Sequence, residues 1–314
     1  MSARGSDVAW VRGSLTGPMT SVHPVFTRDG DLDPDGLARC IEHAIGAGSG
    51  TMLLTYGDSL HSILSDREVG ELLRVVVRIT AGRAMVVAAD RQWPTRIEIG
   101  FAAEAREAGA DVLMVLPPTW GGSATADSLV AHYRAVAETI PVMLVTAPFL
   151  AAQALGLEVL ARLLDEPSIV ALKDDVCGEF ARRVGSLCHD RWAIISGGQK
   201  QNHLDMHPYG VDGYMSSYLH VNPSVAHAYW AAIVAGDLAA AADVIERYDR
   251  PLFDALLRLP GGFDAGIHAA FEAVGLAQRW RRGPYHDLSD GEYGSFVERL
   301  QEGGLLAPFR AAVA

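Results

Sequence analysis

The chain has 314 residues, of which 49% are hydrophobic and 20% charged, and its formal net charge at pH 7 is -12. This composition excludes a disordered chain, and the length suits one large barrel or two ordinary domains. Because excess carboxylates repel phosphate groups and anionic headgroups, the charge argues against nucleic acid and membrane surfaces as partners.

The cysteines and the lack of a long apolar segment indicate where the protein resides. Cys40, Cys177 and Cys188 are odd in number and widely spaced, a pattern typical of buried thiols in a reducing compartment. No stretch reaches the roughly 18 apolar residues that span a bilayer, and the N-terminal segment lacks the apolar region of a signal peptide. We therefore expect a cytoplasmic protein.

Short apolar runs alternate along the chain with helical stretches rich in Ala, Leu, Glu and Arg. This alternation predicts repeated βα units and a parallel sheet. Eight strands are predicted, at residues 15–22, 50–56, 84–89, 111–116, 141–146, 168–173, 192–196 and 213–217. Since eight is the strand number of a closed (β/α)8 barrel, the predicted fold class is an α/β protein with a TIM barrel.

Helices are predicted between the strands and after the last of them. Apolar residues three or four apart predict helices at 33–47, 66–80, 94–108, 126–139, 224–235, 238–257, 263–274 and 290–301. Ser65 and Glu68 have capping-box spacing, and Gly109 ends a helix before the fourth strand. We expect a barrel core over residues 1–222, and a last barrel helix with a C-terminal helical extension over 223–314, as a single structural unit.

The sixth predicted strand ends in a lysine. Alternation along it places Ile169, Ala171 and Lys173 on one face, which we expect to line the barrel interior. Active sites of such barrels lie at the C-terminal ends of the strands. Desolvation there favours a neutral amine, the form that attacks a carbonyl. The alternative is a lysine in solvent, paired with Asp174 or Asp175.

Short motifs follow one another along nearly the whole chain: GDLD at 30–33, TRIEIGFAAEAREAGAD at 95–111, LPPTW at 116–120, IVALKD at 169–174, SGG at 196–198, GVDGYMS at 210–216 and IHAAFEAVGL at 267–276. In this order they resemble the dihydrodipicolinate synthase/N-acetylneuraminate lyase family. The resemblance implies that Lys173 forms a Schiff base with pyruvate or a related 2-oxo acid and works through its enamine. It further implies aldol cleavage, aldol condensation or dehydration, no metal or other cofactor, and a homo-oligomer, either a tetramer or a dimer.

The chain departs from the family at the fifth strand, where a tyrosine normally shuttles protons. Val145 stands at that position, and a valine cannot move a proton. Since a general acid or base typically contributes about 10² to 10⁴ in rate, either another group substitutes or the activity is lost. The family's arginine that follows this motif is also missing from residues 149–153, which argues against the lysine-pathway condensation.

The turn after the second strand binds the substrate carboxylate in the family, through a Gly-Thr-Thr-Gly-Glu motif. Here Thr55 and Tyr56 match the two threonines, Gly57 the second glycine and Asp58 the glutamate. We hypothesise that Tyr56 supplies the phenol that Val145 lacks. The alternative is a tyrosine that packs at the barrel rim for burial alone.

Two further positions point to a different substrate. Trp120 replaces a tyrosine that follows the fourth strand in the family, and His220 replaces an asparagine after the eighth. Both are predicted to line the substrate pocket, although a loop histidine that bonds to backbone is the alternative for His220.

Two other kinds of protein are alternatives to a Schiff-base lyase. In a metal-dependent amidohydrolase a barrel lysine is carbamylated, and a His-x-His motif on the first strand binds metal. Here His23 is the only histidine near the first strand, which argues against this class. His203 and His207 have a spacing that can bind zinc, yet a helix with one partly buried histidine is the simpler interpretation. The second competitor is a binding protein that kept the fold and lost the reaction.

Overall fold

A computed structural model of the chain describes residues 8–118, 121–146 and 155–308. Its residue contacts divide into two compact units, one containing Met1–Ser21 and Gly50–Met215, the other Val22–Ser49 and Ser216–Ala314. The predicted boundary at residue 222, between a barrel core and a helical extension, stays a prediction.

The first unit contains a closed barrel of eight parallel strands in the order of the sequence. The strands are β1 (Gly17–Ser21), β2 (Thr51–Leu53), β3 (Met85–Ala89), β4 (Val112–Val115), β5 (Val142–Val145), β6 (Ile169–Asp174), β7 (Ala193–Ser196) and β8 (Gly213–Met215). Each lies within or one residue beyond its predicted range, and β8 pairs with β1 to close the barrel. The predicted (β/α)8 fold is confirmed.

Helices follow the strands and continue after β8. In the described part of the chain they are α1 (Val8–Ser14), α2 (Pro34–Gly46), α3 (Asp66–Thr80), α4 (Thr95–Ala108), α5 (Ala126–Ala137), α6 (Leu155–Leu163), α7 (Gly178–Cys188), α8 (Gln199–Met206), α9 (Tyr218–Val221), α10 (Pro223–Val234), α11 (Leu238–Val244), α12 (Arg250–Leu257), α13 (Gly262–Ala273) and α14 (Asp290–Glu302). No helix among the described residues is long and apolar enough to cross a membrane. The predicted helix ranges do not include α1, α6, α7 and α9.

Local signals fix several helix ends as predicted. The Ser65 hydroxyl accepts from the Glu68 amide at 3.3 Å, and the Ser65 amide donates to the Glu68 carboxylate at 2.8 Å, so α3 begins with a capping box. After α4, Gly109 adopts a left-handed φ of 103°. A Cβ there would lie 3.2 Å from Val77, so this turn favours glycine.

The predicted helix over 238–257 is interrupted by a π-helical turn at Ile245–Asp249. Pro251 follows that turn, and a proline has no amide hydrogen to donate to the carbonyl four residues back. The Tyr248 carbonyl in this turn accepts the Tyr218 hydroxyl at 2.6 Å. A periodicity argument cannot detect this change, because the apolar spacing continues through it.

Candidate active site

Lys173 lies near the end of β6, flanked by apolar strands. Its Cα partners are Val145 on β5 and Ile195 on β7. The lysine side chain is only 7% exposed, and its Nζ donates a hydrogen bond to Asp175, whose carboxylate is 37% exposed. Neither sequence-based alternative describes this arrangement fully, because the lysine is both buried and paired.

A buried network holds the backbone that carries this pair. The Asp174 carboxylate is fully buried and accepts the Thr146 hydroxyl at 2.8 Å and the Cys177 amide at 2.9 Å. The Asp175 amide in turn donates to the Thr146 hydroxyl at 3.0 Å. Asp174 therefore has a structural role, while Asp175 is left with its carboxylate directed at the amine.

Two glycines after β7 leave space, one for the pair and the other for Cys177 beside it. A Cβ at Gly197 would collide with the Asp175 carboxylate and lie 2.8 Å from the Lys173 Nζ, and one at Gly198 would collide with the Cys177 sulfur. Cys177 and Gln199 have φ values of 65° and 64°, which are strained for residues with side chains. Such strain is common at functional sites.

The Cys177 thiol shares the electrostatic environment of the pair. Burial and the Asp174 and Asp175 carboxylates raise its pKa to about 11, against the opposing charge of Lys173. The thiol is therefore protonated at neutral pH and is a poor nucleophile there. Lys173 is the candidate nucleophile of this site.

The predicted carboxylate-binding turn is closed by its own hydrogen bonds. The Thr55 hydroxyl accepts the Asp58 amide at 3.0 Å, and the Thr55 amide donates to the Ser59 hydroxyl at 3.0 Å. Thr55 is buried, Tyr56 and Asp58 are half-buried, and Gly57 is exposed. Within the described ranges, no hydrogen bond or ion pair joins this turn to Lys173. The roles of these four residues stay predictions.

Tyr56 contacts a buried histidine. Its ring centroid lies 6.5 Å from that of His61 in an edge-on arrangement, and the His61 amide donates to the Tyr56 carbonyl at 3.1 Å. The imidazole nitrogen of His61 lies 3.2 Å from the Asp90 carbonyl. Burial lowers the pKa of His61 to about 4, so this imidazole is neutral at physiological pH.

Sequence analysis missed a pair of buried carboxyl groups beside this histidine. Asp90 directly follows β3 and Glu98 lies on α4, and both are fully buried. The Leu116 amide donates to Asp90 at 3.2 Å. Burial raises the pKa of both groups, and the adjacent Asp90 carboxylate raises that of Glu98 further. The pair therefore retains at least one proton at neutral pH.

His220 lies in the second unit, on α9, within a cluster of buried aromatic rings. Its centroid is 6.3 Å from that of His23 and 4.9 Å from that of Phe271, and His268 lies 6.2 Å from His23. His220 is 3% exposed. Burial, with smaller contributions from His23 and His43, lowers its pKa to about 3. Its role as a substrate ligand stays a prediction.

The neutral state of His220 makes stability depend on pH. Its folded-state pKa lies below the unfolded value of about 6.5, so the unfolded chain binds an extra proton as pH falls from about 6.5 towards 3. The unfolding free energy of the parent protein therefore decreases as the pH falls through this range. We expect His220→Gln to make that decrease shallower by about 1.4 kcal/mol per pH unit. Urea unfolding at several pH values measures this slope.

The matched control is the exposed His227, for which His227→Gln is expected to leave the slope as it is in the parent protein. An unchanged slope in His220→Gln would mean that His220 is already protonated in the folded protein.

Other predicted features lie elsewhere or outside the described residues. Trp120 and residues 149–153 are outside them. His203 is fully buried on α8, more than the partly buried histidine that the spacing predicts, and its ring lies 6.4 Å from that of His207. Among the described residues, no group of three or more His, Cys, Asp or Glu side chains could hold a metal ion.

Comparisons with known proteins agree with this fold over almost the whole chain. The model of the dihydrodipicolinate synthetase family matches residues 14–303. The 4-hydroxy-tetrahydrodipicolinate synthase 2 of Streptomyces coelicolor is 31% identical over 289 residues, which cover 91% of this chain and 95% of that protein.

Two solved structures have the same fold. The dihydrodipicolinate synthase of Oceanobacillus iheyensis has a TM-score of 0.82 at 21% identity, over 94% of this chain and 99% of that one. YagE, a prophage protein of E. coli K12 that belongs to the dihydrodipicolinic acid synthase family, was solved in complex with pyruvate. It has a TM-score of 0.79 at 23% identity, over 93% of this chain and 99% of that one.

Proposed function

The chain belongs to the dihydrodipicolinate synthetase family, and on that basis we propose that it is a Schiff-base lyase for pyruvate or a related 2-oxo acid. Lys173 acts as the nucleophile and forms an imine that becomes an enamine. The reaction is then an aldol cleavage, an aldol condensation or a loss of water, all of which proceed through these two intermediates.

The burial of Lys173 at the C-terminal end of a barrel strand carries this proposal. An amine that is 7% exposed and lies between apolar strand partners is poorly hydrated. A buried lysine is costly to maintain, and Lys173 lies at the C-terminal end of a strand, where barrels of this kind carry their active sites. The complex of YagE with pyruvate supports a 2-oxo acid as the ligand class.

Residues of the turn after β2 are proposed to bind the substrate carboxylate. Thr55 and the Tyr56–Gly57 amides are the candidate donors, and exposed Gly57 would let a ligand approach the backbone closely. Tyr56 also remains the sequence-based candidate for the proton carrier. Asp58, Trp120 and His220 are proposed to select the rest of the substrate.

Reductive trapping tests the proposal directly. Incubation with pyruvate and sodium borohydride is expected to attach the reduced three-carbon acid to Lys173, as measured by mass spectrometry of the peptides. The chain has two lysines, and the other one, Lys200, is only 1% exposed. Peptide mapping therefore distinguishes Lys173 from Lys200.

The alternatives predict other outcomes of the same experiment. A binding protein without activity would retain pyruvate but form no adduct at Lys173, and a metal-dependent hydrolase would bind zinc and form none. Absence of an adduct with both pyruvate and 2-oxobutyrate would overturn the proposed function. The homo-oligomer, whether tetramer or dimer, stays a prediction that light scattering can test.

A further inference from the structure

The reacting nitrogen of Lys173 has a carboxylate partner that sequence analysis did not assign to the chemistry. Its Nζ donates to Asp175, and the carboxylate is 37% exposed although the lysine is 7% exposed. The carboxylate therefore connects a buried amine with solvent. Because it contacts the atom that forms the imine, it can act on protons at that atom.

The other side chains that flank the lysine within the sheet cannot do this. Val145 and Ile195, its Cα partners on either side, are hydrocarbon. Asp174 is fully buried, and its oxygens accept the Thr146 hydroxyl and the Cys177 amide. Cys177 holds its proton at neutral pH because its pKa is raised to about 11.

The position of Asp175 is fixed by groups that take no part in the contact. Its amide donates to the Thr146 hydroxyl at 3.0 Å, so the residue is attached to the chain just after β5 as well as to β6. Gly197 leaves the space for its carboxylate. An acid or base that is held against its target in this way is preorganised for proton transfer.

We infer that Asp175 is the general acid and base of the Lys173 imine, in the place that sequence analysis gave to Tyr56. The inference rests on the proposed Schiff-base function. It answers the question posed by Val145, because a carboxylate two residues beyond the lysine supplies the proton carrier that the fifth strand lacks.

Each proton then has a source and a destination. The ammonium of Lys173 gives a proton to Asp175, and the resulting amine forms a bond to C2 of the 2-oxo acid as the carbonyl electron pair moves to oxygen. A proton passes from nitrogen to that oxygen. The proton on Asp175 then lets the hydroxyl leave as water, which produces the protonated imine and restores the carboxylate.

The same carboxylate next makes the enamine. C3 of the substrate is two bonds from Nζ in the imine, which brings its hydrogens near Asp175. The carboxylate removes one of them, the C–H electron pair becomes the C2–C3 double bond, and the C=N pair returns to nitrogen. Reversal of this step in heavy water places deuterium on C3.

Exchange of the pyruvate methyl protons in heavy water, followed by NMR, tests the inference. We expect Asp175→Asn to slow exchange by about 10²- to 10⁴-fold, and Asp175→Ala to do likewise. Added formate is expected to restore part of the rate in Asp175→Ala, because the partly exposed site admits a small carboxylate.

Asp205→Asn is the matched control, since Asp205 is an exposed carboxylate on α8 that bonds to Gln201 at 3.1 Å. It should exchange as the parent does.

If the parent traps pyruvate but Asp175→Asn exchanges within about threefold of it, the inference fails and the proposed function stands. Loss of exchange in Asp175→Ala that formate does not relieve would assign Asp175 a structural role and also overturn the inference. A parent that neither traps nor exchanges pyruvate or 2-oxobutyrate overturns the proposed function as well.

Discussion

Lys173→Met is expected to abolish the borohydride adduct and to lower the rate of pyruvate exchange on the order of 10⁶-fold, the size of loss that follows removal of a catalytic nucleophile. Methionine is similar in length to lysine and suits a side chain that is 7% exposed between Val145 and Ile195. It removes the amine and leaves the packing nearly intact. Mass spectrometry and NMR exchange measure the two effects.

Lys200→Met is the corresponding control, because Lys200 is the only other lysine. Its Nζ lies 5.7 Å from the centroid of the Tyr214 ring, and its buried side chain is not accessible to reagents in solution. This variant should still form the adduct at Lys173. An adduct found on Lys200 in the parent protein would contradict the assignment of the nucleophile. So would an adduct that still forms in Lys173→Met.

Glu98→Gln is expected to stabilise the protein at alkaline pH. Burial and the Asp90 carboxylate raise the pKa of Glu98, so the folded state binds more protons than the unfolded state above about pH 4.3. The unfolding free energy of the parent therefore decreases as pH rises from that value until the pair loses its protons. A neutral glutamine at this site removes much of that decrease.

The difference between variant and parent should reach about 2 to 3 kcal/mol near pH 9 and be small at pH 5. Urea unfolding at both pH values measures it. Glu107→Gln is the control on the same helix, because Glu107 is exposed and its replacement should change neither value. A Glu98→Gln variant that is less stable than the parent at pH 9 would mean that the ionised pair is well solvated.

The sequence predicts the barrel well because its signals are local. Each strand is a short apolar run, and the capping box at Ser65 and the left-handed Gly109 mark helix ends with residues close in the chain. The ordered family segments place the strand ends, and with them Lys173. The π-helical turn at Ile245–Asp249 is not predicted, because the apolar residues keep their regular helical spacing through it.

The side-chain clusters escape prediction because tertiary contacts create them. His23, His220 and His268 meet although more than half of the chain separates the first from the others, and their spacing in the sequence carries no signal. Asp90 and Glu98 are eight residues apart, but they meet only because a strand end and the helix after it pack together. The sequence indicates Asp175 only as a partner of a lysine in solvent. The direction of its carboxylate depends on tertiary contacts with Thr146 and Gly197.

The glycine at position 197 has a consequence for how this site can be inherited or transplanted. Any side chain there would displace the Asp175 carboxylate and crowd Lys173. Positions 175 and 197 are therefore coupled: a larger residue at 197 shifts the acid away from its place beside the lysine. An engineer who grafts the lysine–aspartate pair onto another barrel must carry the glycine with it, although that residue bears no functional group.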